Sequence, residues 1–138
     1  MNMEERGKYD FNFAGRTILV VEDNQMSAKL IRSVLVRVNA GFLHAPNGFI
    51  AIEYCREKPG ISMVVMDLQM PGMSGIEATR EIKKIRPELP VIIATANTFD
   101  HDESSCREAG CDHFIHKPLK FRKLFEFMEA YFAQNSNE

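Results

Sequence analysis

Met63-Val64-Val65-Met66-Asp67 is an unbroken apolar run closed by a carboxylate. Such a run suits a central parallel strand buried on both faces better than a strand with one wet face, which would alternate. Two other stretches have the same form. Thr17-Ile18-Leu19-Val20-Val21 leads into Glu22-Asp23-Asn24, and Phe114-Ile115 leads into His116-Lys117-Pro118. In an unfolded chain these charged groups lie far apart. Parallel strands would bring them to one sheet edge, outside the strands' carboxyl ends, where open α/β sheets hold their ligands. Clustered carboxylates with one lysine are the groups that magnesium-assisted phosphoryl chemistry needs.

The segments between these strands read as helices. Met26, Leu30, Ile31, Val34, Leu35 and Val38 recur at helical spacing after the first strand, with Gly41 placed to stop the helix. Phe42 to Ala45 is a weaker strand, and Pro46-Asn47-Gly48 turns into a helix expected to bury Ile52, Cys55 and Phe49. Met70-Pro71-Gly72-Met73-Ser74-Gly75 is a loop ahead of a helix carrying Ile76, Ile82 and Ile85. Val91 to Ala94 is a fourth strand, and a polar helix from about Asp100 to Ala109 ends at Gly110. The last helix, about Phe121 to Phe132, carries Phe121, Leu124, Phe125, Met128 and Phe132 on one face as core packing. Alternating strands and helices with short connections predict an α/β fold, a parallel sheet with helices on both faces. Residues 1–15 lack periodicity and are expected to be a flexible lead-in of little weight in folding, 16–134 the folded domain and 135–138 a tail.

Composition narrows the classes. The 138 residues fit one domain, and 45% apolar with 26% charged is ordinary for a soluble globular chain. A net charge of −2 gives no basis for binding nucleic acid. No apolar stretch approaches the roughly 20 residues that span a bilayer, and the N-terminus lacks a secretory core, so a cytoplasmic location without direct membrane contact is expected. Cys55, Cys106 and Cys111 show no paired metal spacing and are expected to be buried or half-buried reduced thiols. His44, His101, His113 and His116 are not spaced as a zinc cluster, and His113 and His116 are expected to face the surface or a loop.

Glu22-Asp23, Asp67 within Met66-Asp67-Leu68-Gln69-Met70-Pro71-Gly72, Thr95-Ala96 and Lys117-Pro118 occur in an order and spacing that resemble the receiver domain of two-component response regulators. The resemblance covers about Arg16 to Ala133. Phe13 to Asn24 and Ile76 to Arg80 look most like receivers fused behind hybrid histidine kinases. It implies a five-stranded doubly wound sheet of flavodoxin-like order 2-1-3-4-5.

Glu22, Asp23 and Asp67 would be three crowded negative charges at neutral pH, which calls for a divalent cation, and oxygen donors with open positions suit Mg²⁺. The resemblance implies that Asp23, Asp67 and the Gln69 carbonyl ligate the ion while Glu22, more often aspartate in the family, acts mainly through water. It makes Asp67 the phosphoacceptor, taking a phosphoryl group from a phosphohistidine on a histidine kinase or histidine phosphotransfer domain. Lys117 pairs with Asp67 and then with a phosphoryl oxygen, and the Lys117–Pro118 bond is expected to be cis. Thr95 is the hydroxyl drawn to the phosphoryl group, and Phe114 turns inward to couple it to the surface of the fourth helix, fifth strand and fifth helix. Gln69 and Asn97 flank the phosphoryl group and tune its lifetime. The isolated receiver is then no enzyme beyond hydrolysing its own aspartyl phosphate, and homodimerisation stays open.

Other functions fit less well. A haloacid-dehalogenase-like phosphatase resembles its relatives in a second aspartate two residues after the first, where this chain has Gln69. A nucleotide switch needs a Gly-x-x-x-x-Gly-Lys-Ser/Thr loop, which is missing, and Glu22-Asp23 would repel a flavin phosphate. The standing alternative is a pseudo-receiver used only as an interaction scaffold.

Overall fold

The computed structural model describes residues 10–96 and 100–134. The chain alternates β1 (Thr17–Val21), α1 (Gln25–Arg37), β2 (Gly41–Ala45), α2 (Gly48–Glu57), β3 (Ile61–Asp67), α3 (Gly75–Ile85), β4 (Val91–Thr95), α4 (Asp100–Ala109), β5 (His113–His116) and α5 (Phe121–Gln134). All strand pairings are parallel, in the order β2-β1-β3-β4-β5. This is the parallel sheet that the alternation of strands and helices predicts, in the doubly wound order that the resemblance implied, with β3 inside it.

Strand alternation divides the core into two layers. Leu19, Val21, Val64, Met66, Val91 and Ile93 face Ala51 and Cys55 of α2, Ala78 and Ile82 of α3 and Cys106 of α4. Ile18, Val20, Met63, Val65 and Ile92 face Ile31, Val34 and Leu35 of α1 and Leu124, Phe125, Met128 and Phe132 of α5. The stripe expected on the last helix is therefore core. Phe125 and Met128 are fully enclosed, and burial of such side chains is worth about 1.5–3 kcal/mol each. All three cysteines are free and buried, and burial pushes the Cys55 thiol up to about 11, which leaves little reactive thiolate.

Caps and glycines set the helix starts. Asn24, Asn47 and Ser74 each accept the backbone N–H three residues on, satisfying a donor in the first turn of α1, α2 and α3. At Gly75 a Cβ would come within 2.5 Å of the Asp67 carbonyl, so only glycine lets α3 begin this close to the end of β3. Gly110 (φ 107°) follows α4, as expected. The turn out of α1 uses Asn39 (φ 64°), and Gly41, expected to stop that helix, is already the first residue of β2. Asparagine tolerates the left-handed region better than most residues.

The expectation of a lead-in without weight is corrected at its end. Phe13 is 4% exposed, and its N–H donates to the Val38 carbonyl at 2.7 Å. Its ring meets Phe125 and Phe132 at 5.8 and 6.0 Å, and Phe11 meets Phe125 at 5.6 Å. Arg16 lies over Phe132 at 4.3 Å. A few aromatic anchors dock the segment, so no periodicity marks it. Three residues expected inward point out: Met26 is 78% exposed, Leu30 58% and Phe49 56%. Val36, also on α1, is exposed too, so apolar residues occur on both sides of that helix. His113, expected at the surface, is half-buried and stacks on Phe127 with centroids 4.3 Å apart.

Candidate functional site

The carboxyl ends of β1, β3, β4 and β5 meet at one edge, and between them they carry the five anticipated groups. Glu22 and Asp23 follow β1, Asp67 ends β3, Thr95 ends β4 and Lys117 follows β5. One carboxylate oxygen from each of Glu22, Asp23 and Asp67 lies within 4.8 Å of the others. Lys117 Nζ stands 3.4 Å from Asp67 Oδ1 and 3.4 Å from Glu22 Oε2. Residues separated by most of the chain thus form one acidic centre with one ammonium.

Each acid has its own surroundings. Glu22 is buried, Asp67 half-buried and Asp23 exposed. Burial pushes the Glu22 carboxyl above its ordinary value; the Asn24 N–H and the Lys117 ammonium oppose that, and the Asp67 charge adds to it. Glu22 Oε1 accepts the Asn24 N–H at 3.1 Å, while the Asn24 side chain caps α1 through Ser27 N–H. One residue thereby ties the acidic loop to the helix after it. Asp67 Oδ1 accepts a long bond, 3.4 Å, from Gln69 N–H.

Lys117 is positioned by backbone. Its N–H donates to the Thr95 carbonyl at 2.7 Å, extending the β4–β5 ladder beyond the pair Thr95 and His116. The Lys117–Pro118 peptide is cis, as the resemblance implied. Thr95 is 1% exposed, and Phe114 is 7% exposed within the cluster shared with Ile93 and Cys106. The Phe114 ring therefore already occupies an inward position, edge-on to His116 at 5.3 Å and 86°. Gln69 is exposed at the start of the loop after β3. Asn97 lies outside the described residues.

The donor set fits a hard divalent cation. Carboxylate oxygens supply the charge and leave room for water, as Mg²⁺ prefers, and among the described residues this trio is the one acidic or thiol–imidazole group close enough to share an ion. Beside it, Glu22, Ser27, Leu30, Ile31, Lys117, Pro118, Leu119 and Phe121 line a mostly apolar groove of about 230 Å³. This groove leaves no sign in the sequence, because the helical spacing that places Leu30 in the core does not show that it points outward. The double role of Asn24 is likewise visible only in the structure, although Asn24 directly follows Glu22-Asp23 in the sequence.

A doubly wound parallel sheet that gathers three acids, a threonine and a lysine at its carboxyl edge defines an α/β domain with an acidic site at that edge. The chain belongs to the response regulator receiver domain family, whose model matches residues 18–129. The chain is 34% identical over 124 residues to the peroxide stress-activated histidine kinase mak1 of Schizosaccharomyces pombe, covering 85% of this chain but 8% of that protein. It is 32% identical over 120 residues to the polar-differentiation response regulator DivK of Brucella anthropi, covering 84% of this chain and 95% of that one. Among solved structures, it resembles the receiver domain of a Pseudomonas aeruginosa PAO1 sensor histidine kinase with a magnesium ion coordinated in its active site cleft. That match has a TM-score of 0.79 at 28% identity, over 87% of this chain and 99% of the other. A Saccharomyces cerevisiae receiver, that of Ssk1, solved with the histidine phosphotransfer protein Ypd1, matches with a TM-score of 0.74 at 27% identity, over 81% and 85%. The expected receiver fold of two-component signalling, including strand order, is thus the one found.

Proposed function

We propose that this receiver takes a phosphoryl group onto Asp67 from a phosphohistidine donor, with Mg²⁺ held by Asp23, Asp67 and the Gln69 carbonyl and reached by Glu22 through water. The observation that carries this reading is the meeting of Glu22, Asp23 and Asp67 oxygens within 4.8 Å, with Lys117 Nζ 3.4 Å from Asp67 Oδ1. An Asp67 oxygen attacks phosphorus, the P–N bond to the donor imidazole breaks, and its electron pair leaves on the nitrogen. Held by these residues, Mg²⁺ would supply positive charge to offset that building on the phosphoryl oxygens. Lys117 takes a phosphoryl oxygen in place of the Asp67 carboxylate. The Thr95 hydroxyl turns to the new acceptor oxygens, and Phe114 packing relays this to the surface of α4, β5 and α5, a population shift between two states. Gln69, which follows β3 beside Asp67, tunes the lifetime of the phosphoryl group against hydrolysis, and the resemblance gives Asn97 the same role.

The donor is a histidine kinase or histidine phosphotransfer domain. A protein donor must cover the rim of the site, and the apolar groove at Leu30, Pro118 and Phe121, with exposed Met26 on the same helix, supplies contact surface there. Among the described residues, no helix is long and apolar enough to cross a membrane.

Incubation with acetyl phosphate, with and without Mg²⁺, followed by intact mass, tests the reading. A Mg²⁺-dependent phosphoryl adduct, absent from Asp67→Asn, is expected. No adduct together with no Mg²⁺ binding would overturn it in favour of an interaction scaffold.

A further inference from the structure

The Glu22 carbonyl is a backbone acceptor at the point where the acidic loop leaves the sheet. Glu22 N–H still donates to the Ala45 carbonyl at 3.1 Å, one step beyond the last β1–β2 pair, Val21 with Ala45. In a regular parallel ladder the Glu22 carbonyl would then receive the backbone N–H of residue 47. The second strand has turned away before that point. Pro46 fixes the bend without an N–H of its own, and Asn47 is already the N-cap of α2, with φ −156° and ψ 172°.

A side chain supplies the donor. His44 Nε2 lies 2.7 Å from the Glu22 carbonyl oxygen. A carbonyl only accepts, so Nε2 carries the hydrogen. His44 belongs to β2, where it pairs with Val20, and its half-buried ring lies alongside Phe42, centroids 6.4 Å apart at 25°. The ring is therefore held by the sheet.

The bonded carbonyl is part of the peptide unit that joins Glu22 to Asp23, and that unit is planar. Fixing its oxygen fixes the plane from which both side chains project. The next peptide N–H, that of Asn24, is held by Glu22 Oε1 at 3.1 Å. The acidic loop is thus pinned from the side of β2 and from within.

We propose that His44 is a positioning residue for the acidic centre: its Nε2–H holds the Glu22–Asp23 peptide plane and so presets the two carboxylates for a divalent cation. This rests on the Mg²⁺ reading above. Groups that orient metal ligands typically change affinity by about 10–100-fold when removed, and His44 acts through backbone, which places its effect near the lower figure.

Calorimetric Mg²⁺ titration of the wild type, His44→Phe and His44→Gln, beside urea unfolding without metal and acetyl phosphate labelling at saturating Mg²⁺, tests this. Phenylalanine keeps the ring and lacks the donor; glutamine keeps a donor of about the same reach. His44→Phe is expected to weaken Mg²⁺ binding about tenfold, while its labelling at saturating Mg²⁺ stays near wild type and His44→Gln binds Mg²⁺ like the wild type. Should His44→Phe not fold, His44→Leu, smaller and equally without a donor, carries the same expectation. A donorless variant that binds Mg²⁺ as the wild type does, or a glutamine variant that fails to restore binding, overturns the role of His44 alone. A wild type that binds no Mg²⁺ overturns the metal centre and this role with it.

Discussion

Lys117 Nζ stands 3.4 Å from Asp67 Oδ1, joining the ends of β5 and β3 across the end of β4, which lies between them in the sheet. The contact depends on parallel topology, since only there do these strand ends share an edge. The same ammonium is 3.4 Å from Glu22 Oε2, so one cation serves two acids of unequal burial.

Replacing that ammonium separates metal binding from phosphoryl transfer. In Lys117→Met the carboxylates lose a competing cation, and Mg²⁺ binding is expected to hold or tighten. The phosphoryl group would lack its second positive partner, and labelling by acetyl phosphate at saturating Mg²⁺ is expected to slow by about a hundredfold, the effect of removing one preorganised transition-state donor. Labelling at the wild-type rate would remove Lys117 from the chemistry.

Phe13 gives a prediction for stability. Its ring sits against Phe125 and Phe132 and closes the layer beneath α1 and α5, so Phe13→Ala leaves a hole there. The loss is expected to be about 3 kcal/mol, the lower end for burying and then deleting a phenylalanine, seen as a lower urea midpoint. A change below about 0.5 kcal/mol, typical of surface positions, would show that the segment before Arg16 is dispensable.

How far the sequence discloses these features depends on the kind of signal each leaves. The apolar runs of Ile18 to Val21 and Met63 to Met66 are short, carry β-branched residues and are bounded by polar groups, which suits strands covered on both faces, and the acids at their ends met because parallel strands share a direction. Phe11 and Phe13 left no such trace, since a pair of anchors has no period. Leu30 and Met26 misled because α1 is apolar on two sides, and spacing alone does not say which side meets the sheet. The His44 bond was hidden for another reason: a lone histidine in a short strand acquires meaning only once Pro46 is seen to end the ladder.

His113 carries a pH dependence. Burial lowers its pKa below the ordinary 6.5, Arg107 adds to that, and Glu103 opposes it. A folded value depressed below the unfolded one means stability that is present above about 6.5 and lost as pH falls through the folded value. Urea unfolding at pH 8 and pH 5 is expected to show a larger loss on acidification for the wild type than for His113→Phe, which keeps an aromatic ring against Phe127 and cannot titrate. Equal losses would place the acid sensitivity elsewhere.

Leu30 tests how a protein donor meets the site. It is 58% exposed and lines the groove that also touches Glu22 and Lys117. An exposed position tolerates a neutral polar residue with little effect on folding, and Leu30→Gln adds no charge to disturb the cation. Acetyl phosphate needs no protein surface, so labelling by it is expected to be unchanged. A phosphohistidine-bearing protein donor must press against this rim, and loss of one apolar contact worth about 1.4 kcal/mol slows its transfer about tenfold. The comparison is made by single-turnover transfer from a donor that is active on the wild type. Equal slowing with both donors would mean that Leu30 supports the site's geometry; no slowing with either would move the donor's footprint away from α1.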